Sequence, residues 1–217
     1  MADFMNNVFG GFDKAIAQFY NLLATNAGDF FTPLANVITF LGEKGIIFFL
    51  LGAVLLLFKN TRKAGICMIG AVGLGAILSN LILKNLIQRP RPFNELPYSV
   101  WWVDAGSAID DGFSCPSGHV TGIACALLSL VLTRGKKHLI TAGVGITAMG
   151  WARNYLMVHY ASDVITSVIV SVVAVVVAYL ITLWILKICE KYKDKKIFAL
   201  VLNWDVRDLK KKDKENV

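Results

Sequence analysis

The chain has 217 residues, of which 56% are hydrophobic and only 17% are charged, whereas soluble proteins carry about 25% charged residues. Its formal net charge is nevertheless +7. This composition excludes a disordered chain, a disulfide-stapled secreted domain and a free nucleic-acid-binding protein. It indicates an all-α membrane protein, a polytopic transmembrane helix bundle, because open sheet edges cannot face lipid.

The N-terminal region is apolar but carries scattered polar side chains. Residues 15–28 therefore predict an interfacial or buried helix. Residues 30–42 are apolar too but are interrupted by Pro33, and they leave a sixth span open. Residues 1–11 contain no Lys or Arg and are followed by no apolar core, so no cleavable signal peptide is expected.

Five apolar runs with few charges follow, and each predicts a membrane span. In chain order they are residues 45–58, 64–83, 114–133, 139–152 and 164–186. The first and fourth runs are short and span only if their flanking charges lie at the interface. In the second run, Gly65, Gly70, Gly73 and Gly75 are typical of helix-packing positions. The prediction is therefore five to six spans.

Basic residues between the runs predict the orientation. They form two short loops and a Lys-rich tail: Lys59, Arg62 and Lys63; Arg134, Lys136 and Lys137; and Lys187 onward. The positive-inside rule places these segments, and hence the C-terminus, in the cytoplasm. We predict one domain over residues 1–190 and a charged cytoplasmic tail over 191–217, either solvated or drawn to anionic lipid headgroups.

On the outer side, the aromatic residues Tyr98, Trp101 and Trp102 suit either a membrane-surface belt or ordinary loop packing.

The first cluster of charges lies where the second span ends. Lys84 falls in the last turns of that span, and Arg89 and Arg91 follow it. Pro90 and Pro92 force the chain out of the helix there. Snorkelling at a membrane boundary would explain such cations, but it predicts an inner location, whereas the orientation places them outside.

The second cluster opens the third span. Ser114 is a plausible N-cap and Pro116 a favoured first helical residue. A helix N-terminus offers free N–H groups to an anion; Gly118 would allow a close approach, and Ser117 would add a hydroxyl donor. A simply capped helix start is the alternative. His119 completes the segment.

The third cluster consists of Arg153, His159 and Asp163 between the fourth and fifth spans. His159 and Asp163 are four residues apart, so they share one face if the segment is helical. A carboxylate bonded to one imidazole nitrogen leaves the other free to attack or to accept a proton. A purely structural His–Asp pair is the alternative.

Taken together, the clusters place three cations, hydroxyl and backbone donors and two histidines on one membrane face. The three cations suit a phosphate. Two histidines suit a displacement in which one attacks and the other protonates the leaving oxygen. A metal site is a weaker interpretation, because the nearby carboxylates do not complete a ligand set with His119 and His159.

These motifs resemble the type 2 phosphatidic acid phosphatase superfamily of membrane lipid phosphatases, which includes the phosphatidylglycerophosphatase B and undecaprenyl-diphosphatase types. The motif Lys-x6-Arg-Pro matches Lys84 through Pro92, and Pro-Ser-Gly-His matches Pro116 to His119. Ser-Arg-x5-His-x3-Asp matches from Arg153 to Asp163, except that Ala152 stands where the family has Ser.

The resemblance implies a phosphohistidine mechanism without metal or other cofactor. His159 would be the nucleophile, Asp163 would orient it, and His119 would protonate the leaving oxygen and then activate water. The phosphate would be held by Lys84, Arg91, Ser117, Gly118 and Arg153. Arg89 lies outside the motif and is interpreted as a possible substrate or headgroup contact.

The resemblance also implies a lipid phosphate substrate, membrane lipids as surroundings and a bacterial plasma membrane, with the site facing the outer side. Undecaprenyl diphosphate is favoured, and phosphatidylglycerophosphate and phosphatidic acid remain alternatives. A phosphotransferase with the same intermediate and a non-catalytic transporter are alternatives of other classes. The sequence indicates no nucleic-acid partner and leaves the oligomeric state open.

Overall fold

A computed structural model of the chain describes residues 1–42, 45–96 and 112–208. Within these ranges the regular elements are all helical, which confirms the predicted all-α class. The aromatic residues of the outer loop, Tyr98, Trp101 and Trp102, and the last nine residues of the tail lie outside the described residues.

The described parts of the chain contain nine α-helices, and each of the five predicted spans overlaps one of them. They are α1 (Ala2–Leu41), α2 (Ile46–Leu56), α3 (Arg62–Ala76), α4 (Lys84–Ile87), α5 (Pro92–Glu95), α6 (Gly118–Arg134), α7 (Leu139–Tyr155), α8 (Ala161–Lys191) and α9 (Lys196–Asn203). A π-helical segment, Ile77–Leu83, joins α3 to α4, and a 3₁₀ turn, Lys136–His138, precedes α7.

Two helical stretches in the described residues are long and apolar enough to cross a membrane. These are Arg62–Glu95 and helix α8, Ala161–Lys191. Helices α1 and α2 would make a third if the pair forms one bent span. The chain is thus an integral membrane protein, and the expected number of five to six spans stays a prediction.

In the N-terminal region a kink divides helix α1 close to the boundary between the two predicted segments, residues 15–28 and 30–42. Helix α1 is kinked at Ala27, whose φ of −147° leaves the helical region, and it continues past Pro33 to Leu41. Its small residues Ala17 and Ala35 pack in a core cluster with Tyr155 at the end of α7. This packing places α1 beside the loop that follows α7.

Helices α3, α6 and α8 pack against one another through small side chains. A Cβ on Gly65 would lie 2.7 Å from the carbonyl oxygen of Gly52 in α2, and a Cβ on Gly75 would lie 2.6 Å from Cys125 Sγ in α6. A Cβ on Gly73 would meet nothing within 4 Å. The predicted packing role is therefore confirmed at residues 65 and 75 and wrong at Gly73, which faces open space.

The start of the C-terminal tail packs against the loop between α2 and α3. Arg62 is buried and donates hydrogen bonds to the carbonyl oxygens of Leu56 (3.1 Å), Val201 (2.8 Å) and Trp204. The Lys59 N–H donates to Asp205 Oδ2 at 2.9 Å. The start of the tail is therefore docked against this part of the helix bundle.

Candidate active site

His159 lies in the short loop between α7 and α8, with only 3% of its surface exposed. Its Nδ1 is 2.6 Å from the carbonyl oxygen of Ser114. A carbonyl can only accept a hydrogen bond, so Nδ1 must carry the proton. In the neutral ring the lone pair is then on Nε2, the nitrogen available to react.

Asp163 does not form the predicted hydrogen bond to the His159 imidazole, but it supports the loop in another way. Its Oδ2 is 4.0 Å from His159 Nδ1 and accepts instead from the Tyr160 N–H at 2.9 Å. Its Oδ1 accepts from Arg89 Nη1 at 2.7 Å. Asp163 is the third residue of α8, and a carboxylate there naturally caps the N-terminal backbone. The Ser114 carbonyl therefore occupies the position expected for the carboxylate.

The predicted cations surround His159. Burial lowers the pKa of His159 well below the ordinary 6.5, and the positive charges of Arg153, Arg91, Lys84 and His119 lower it further, in that order. Each charge acts by opposing protonation of the same ring. The imidazole is thus neutral near pH 7, in the protonation state that a nucleophile requires.

Both arginines are buried, and the loop holds the Arg91 side chain directly. Arg91 is 2% exposed and donates from Nη1 to the Val158 carbonyl at 2.9 Å and from Nε to the Gly112 carbonyl at 3.0 Å. The carbonyl of Arg153 accepts from the His159 N–H at 3.3 Å. Lys84, in the single turn of α4, is only partly buried. Folding of this loop therefore brings the nucleophile candidate and the cations together.

Helix α6 begins later than the sequence predicts. Ser117 occupies the N-cap position and Gly118 is the first helical residue, so Ser114 and Pro116 precede the helix. The Ser117 N–H donates to Ser167 Oγ at 2.8 Å. The Ser117 hydroxyl is buried and has no hydrogen-bond partner among the described residues. That hydroxyl is available as a donor to a phosphate oxygen.

Gly118 and His119 lie at the more open side of the site. A Cβ on Gly118 would come within 2.8 Å of Asn80 Oδ1 in the π-helical segment, so the absence of a side chain permits this contact. His119 is partly exposed. A histidine in this position can exchange a proton with a leaving group or with water, which a fully buried ring could not.

Arg89 is a correction to the sequence interpretation. Its side chain is 1% exposed, and three of its nitrogens are hydrogen-bonded to protein groups. Among these is Asp13 Oδ2 in α1, at 2.7 Å. A guanidinium held in this way cannot contact a substrate or a headgroup. Sequence reasoning missed Asp13, although a lone carboxylate on the same helical face as Ala17 was a signal for a buried polar contact.

No group of three His, Cys, Asp or Glu side chains in residues 1–42, 45–96 and 112–208 could hold a metal ion. The cationic cluster around His159 instead matches an anion. Metal-independent chemistry remains a prediction.

Comparison with known proteins agrees with this geometry. Residues 64–187 match the model of the PAP2 superfamily. An undecaprenyl-diphosphatase from Sulfolobus acidocaldarius is 28% identical over 151 residues, which cover 67% of this chain and 66% of that protein. This chain therefore spans about two thirds of the length of that relative.

A solved structure provides an independent comparison of the fold. The crystal structure of a transmembrane PAP2-type phosphatidylglycerolphosphate phosphatase from Bacillus subtilis superposes with a TM-score of 0.64 at 25% identity. The superposition covers 82% of this chain and 88% of that one. With more than half of its residues matched by the family model, the chain belongs to the PAP2 superfamily.

Proposed function

We propose that the protein is an integral membrane lipid phosphatase that removes a terminal phosphate through a phosphohistidine intermediate. The observation that carries the proposal is the hydrogen bond of His159 Nδ1 to the Ser114 carbonyl, 2.6 Å long. The charges of Arg153, Arg91 and Lys84 act on the same imidazole. The hydrogen bond leaves a neutral imidazole with its Nε2 lone pair free where a phosphate would bind.

In the first step, Nε2 of His159 attacks phosphorus while the bond from phosphorus to the leaving oxygen breaks. Lys84, Arg91 and Arg153 stabilise the negative charge on the phosphoryl oxygens. The Ser117 hydroxyl and the backbone at Gly118 would donate further hydrogen bonds. His119 gives its proton to the leaving oxygen, so that the lipid product departs neutral at that atom.

In the second step, water releases phosphate from His159. His119, now neutral, takes a proton from the attacking water as the phosphorus–nitrogen bond breaks. The electron pair of that bond returns to Nε2, and the enzyme recovers its starting protonation state. Asp163 and the Ser114 carbonyl keep the ring in one orientation through both steps. No step requires a metal or another cofactor.

The named activities of the similar proteins support a lipid phosphate or diphosphate as the substrate. We favour undecaprenyl diphosphate, and phosphatidylglycerophosphate is the second candidate. Both present a terminal phosphate on a membrane-anchored chain. We further propose that residues 1–190 form the phosphatase domain, that the site faces the outer side of a bacterial plasma membrane, and that the tail from residue 191 is cytoplasmic.

Phosphate release by the protein purified in detergent tests this proposal. The panel contains undecaprenyl diphosphate, phosphatidylglycerophosphate and phosphatidic acid, each with and without EDTA. We expect EDTA to leave the rate unchanged and His159→Ala to lower kcat by at least about a thousandfold, since the nucleophile is lost. The preferred panel member identifies the substrate.

The matched control replaces the third histidine. His138 lies in the 3₁₀ turn before α7, at the opposite end of that helix from Arg153, so His138→Ala should retain the wild-type rate. Full activity in His159→Ala, or loss of activity in EDTA, contradicts the mechanism. Absence of phosphate release from every panel member contradicts the proposed activity.

A further inference from the structure

We propose that Asp13 and Arg89 are positioning residues for His159, so that the N-terminal helix α1 contributes to the active site. The proposal rests on the proposed phosphatase function and extends it to a helix outside the matched residues 64–187. Asp13 and Arg89 would act on His159 through the groups that hold its imidazole ring.

Arg89 joins two helices through one buried guanidinium. It donates from Nη1 to Asp163 Oδ1 at 2.7 Å and from Nη2 to Asp13 Oδ2 at 2.7 Å. Its other contacts are Asn6 Oδ1, 3.0 Å from Nε, and Ser162 Oγ, 2.7 Å from Nη1. The guanidinium also lies over the Tyr160 ring, 4.0 Å from its centre. Arg89 therefore connects α1 to the start of α8.

Asp13 holds the same helix start from the opposite side. Its Oδ1 accepts from the Ser162 N–H at 2.9 Å, and its Oδ2 accepts from Ser162 Oγ at 2.6 Å. Asp13 satisfies a backbone donor that α8 leaves unpaired at its N-terminus. Because Ser162 precedes Asp163 and follows the His159 loop, Asp13 fixes the base of that loop. Asp13 and His159 also line one small cavity between α1 and the loop.

The backbone of Arg89 supports the imidazole by a second route. Its carbonyl oxygen accepts from the Ser114 N–H at 2.8 Å. The Ser114 carbonyl in turn accepts from His159 Nδ1. One residue thus holds both neighbours of Nδ1: the carbonyl that accepts its hydrogen bond and the carboxylate 4.0 Å away. A displacement of Arg89 would move both together.

The charges form a second, electrostatic link. Asp13, Arg89 and Asp163 are each at most 1% exposed, and two carboxylates share one guanidinium. We expect the carboxylates of Asp163 on α8 and Asp13 on α1 to favour protonation of His159, and the guanidinium of Arg89 before α5 to oppose it. The opposing cations are Lys84 on α4, Arg91, His119 on α6 and Arg153 on α7. A group that only stabilised the fold would leave the protonation of His159 unchanged.

Kinetics of Asp13→Asn and Arg89→Met, measured against pH on one lipid phosphate, test the proposal. We expect each to lower kcat about ten- to a hundredfold with KM within about twofold, since misplacement of a reacting group acts on the chemical step. Removing the Asp13 charge should shift the acid limb of kcat/KM to lower pH. Removing the Arg89 charge should shift it to higher pH, each by about half a unit to one unit.

Two control variants separate position from charge. Asp29→Asn makes the same change at an exposed position of α1 and should reproduce the wild-type profile. Asp13→Glu keeps the charge and should keep the wild-type acid limb while kcat remains reduced. The midpoint pH of the acid limb of kcat/KM does not depend on how much enzyme is folded. A variant obtained in low yield therefore still gives this midpoint.

The experiments distinguish failure of the positioning role from failure of the phosphohistidine mechanism. Wild-type-like kcat and an unmoved acid limb in both Asp13→Asn and Arg89→Met overturn the positioning role, even if His159→Ala is inactive. A reduced kcat with unmoved acid limbs in both variants also overturns it, because it indicates a structural role. If His159→Ala remains active, the proposed mechanism fails first, whatever Asp13 and Arg89 do.

Discussion

At the scale of single residues, a backbone carbonyl defines the reactive form of His159. The spacing of His159 and Asp163 predicts that they lie together, and they do, 4.0 Å apart. The acceptor for Nδ1 is nevertheless Ser114, 45 residues earlier in the chain. Any residue type offers a backbone carbonyl, so no side-chain pattern could have identified this acceptor. Ser114 is best understood through its backbone and not as the predicted helix cap.

The lowered pKa of His159 makes a prediction for the wild-type protein. Protonation of the imidazole abolishes the nucleophile, and the burial and cations that lower its pKa keep the ring neutral in more acidic solution. We therefore expect the acid limb of kcat/KM that belongs to His159 to lie below pH 6.5. A pH–rate profile in detergent measures it.

The phosphate of the substrate also titrates, with a second pKa of about 6. Repeating the profile with a lipid monophosphate and a lipid diphosphate separates the two groups. A limb that is the same for both substrates belongs to the enzyme. If that common limb lies at or above pH 6.5, the electrostatic description of His159 is wrong.

At the scale of elements, glycine governs how closely α3 approaches its neighbours. A Cβ on Gly65 would meet two backbone atoms of α2, the Gly52 oxygen at 2.7 Å and the Leu56 nitrogen at 2.9 Å. Backbone atoms inside a helix cannot move aside as the end of a side chain can. Composition indicated close packing along this helix, but only the register of α3 on α2 distinguishes Gly65 from Gly73.

Gly65→Ala should destabilise the protein, and Gly73→Ala should not. Overpacking of this kind costs about 1–3 kcal/mol, whereas Gly73 has space for a methyl group and alanine favours the helix. Thermal unfolding of both purified variants measures the difference, and we expect a lower Tm for Gly65→Ala alone. Equal Tm values for the two variants would contradict the described α2–α3 contact.

At the scale of the whole molecule, the sequence predicts the helical class, the five helical runs and the three motifs. The number of spans depends on how α1 and α2 lie in the bilayer, which composition alone does not determine. The role of Arg89 in the site could not be determined from composition either. Its location among cations predicted an exposed contact, but its partner Asp13 is 76 residues away on α1. Only tertiary structure brings such a pair together.

The proposed orientation predicts the side of the membrane on which the C-terminus lies. The positive loops and the Lys-rich tail are expected on the cytoplasmic side. A reporter fused after Val217 should therefore read cytoplasmic in cells. A second reporter inserted after Gly135, in the positive loop that contains Arg134, Lys136 and Lys137, should also read cytoplasmic. An external reading at either position would contradict the outward-facing site.

The buried link between Asp13 and Arg89 also limits how the protein can be recombined with its relatives. A boundary drawn at residue 64, where the family match begins, separates the two partners of one ion pair. A chimera with a foreign N-terminal helix would leave Arg89 paired with Asp163 but without its second carboxylate. Arg89 Nη2 and the Ser162 N–H would then lose their acceptors, and each buried donor left without an acceptor costs about 1–3 kcal/mol. Modular exchange of α1 therefore requires an aspartate at position 13 in the donor helix, or a simultaneous replacement of Arg89.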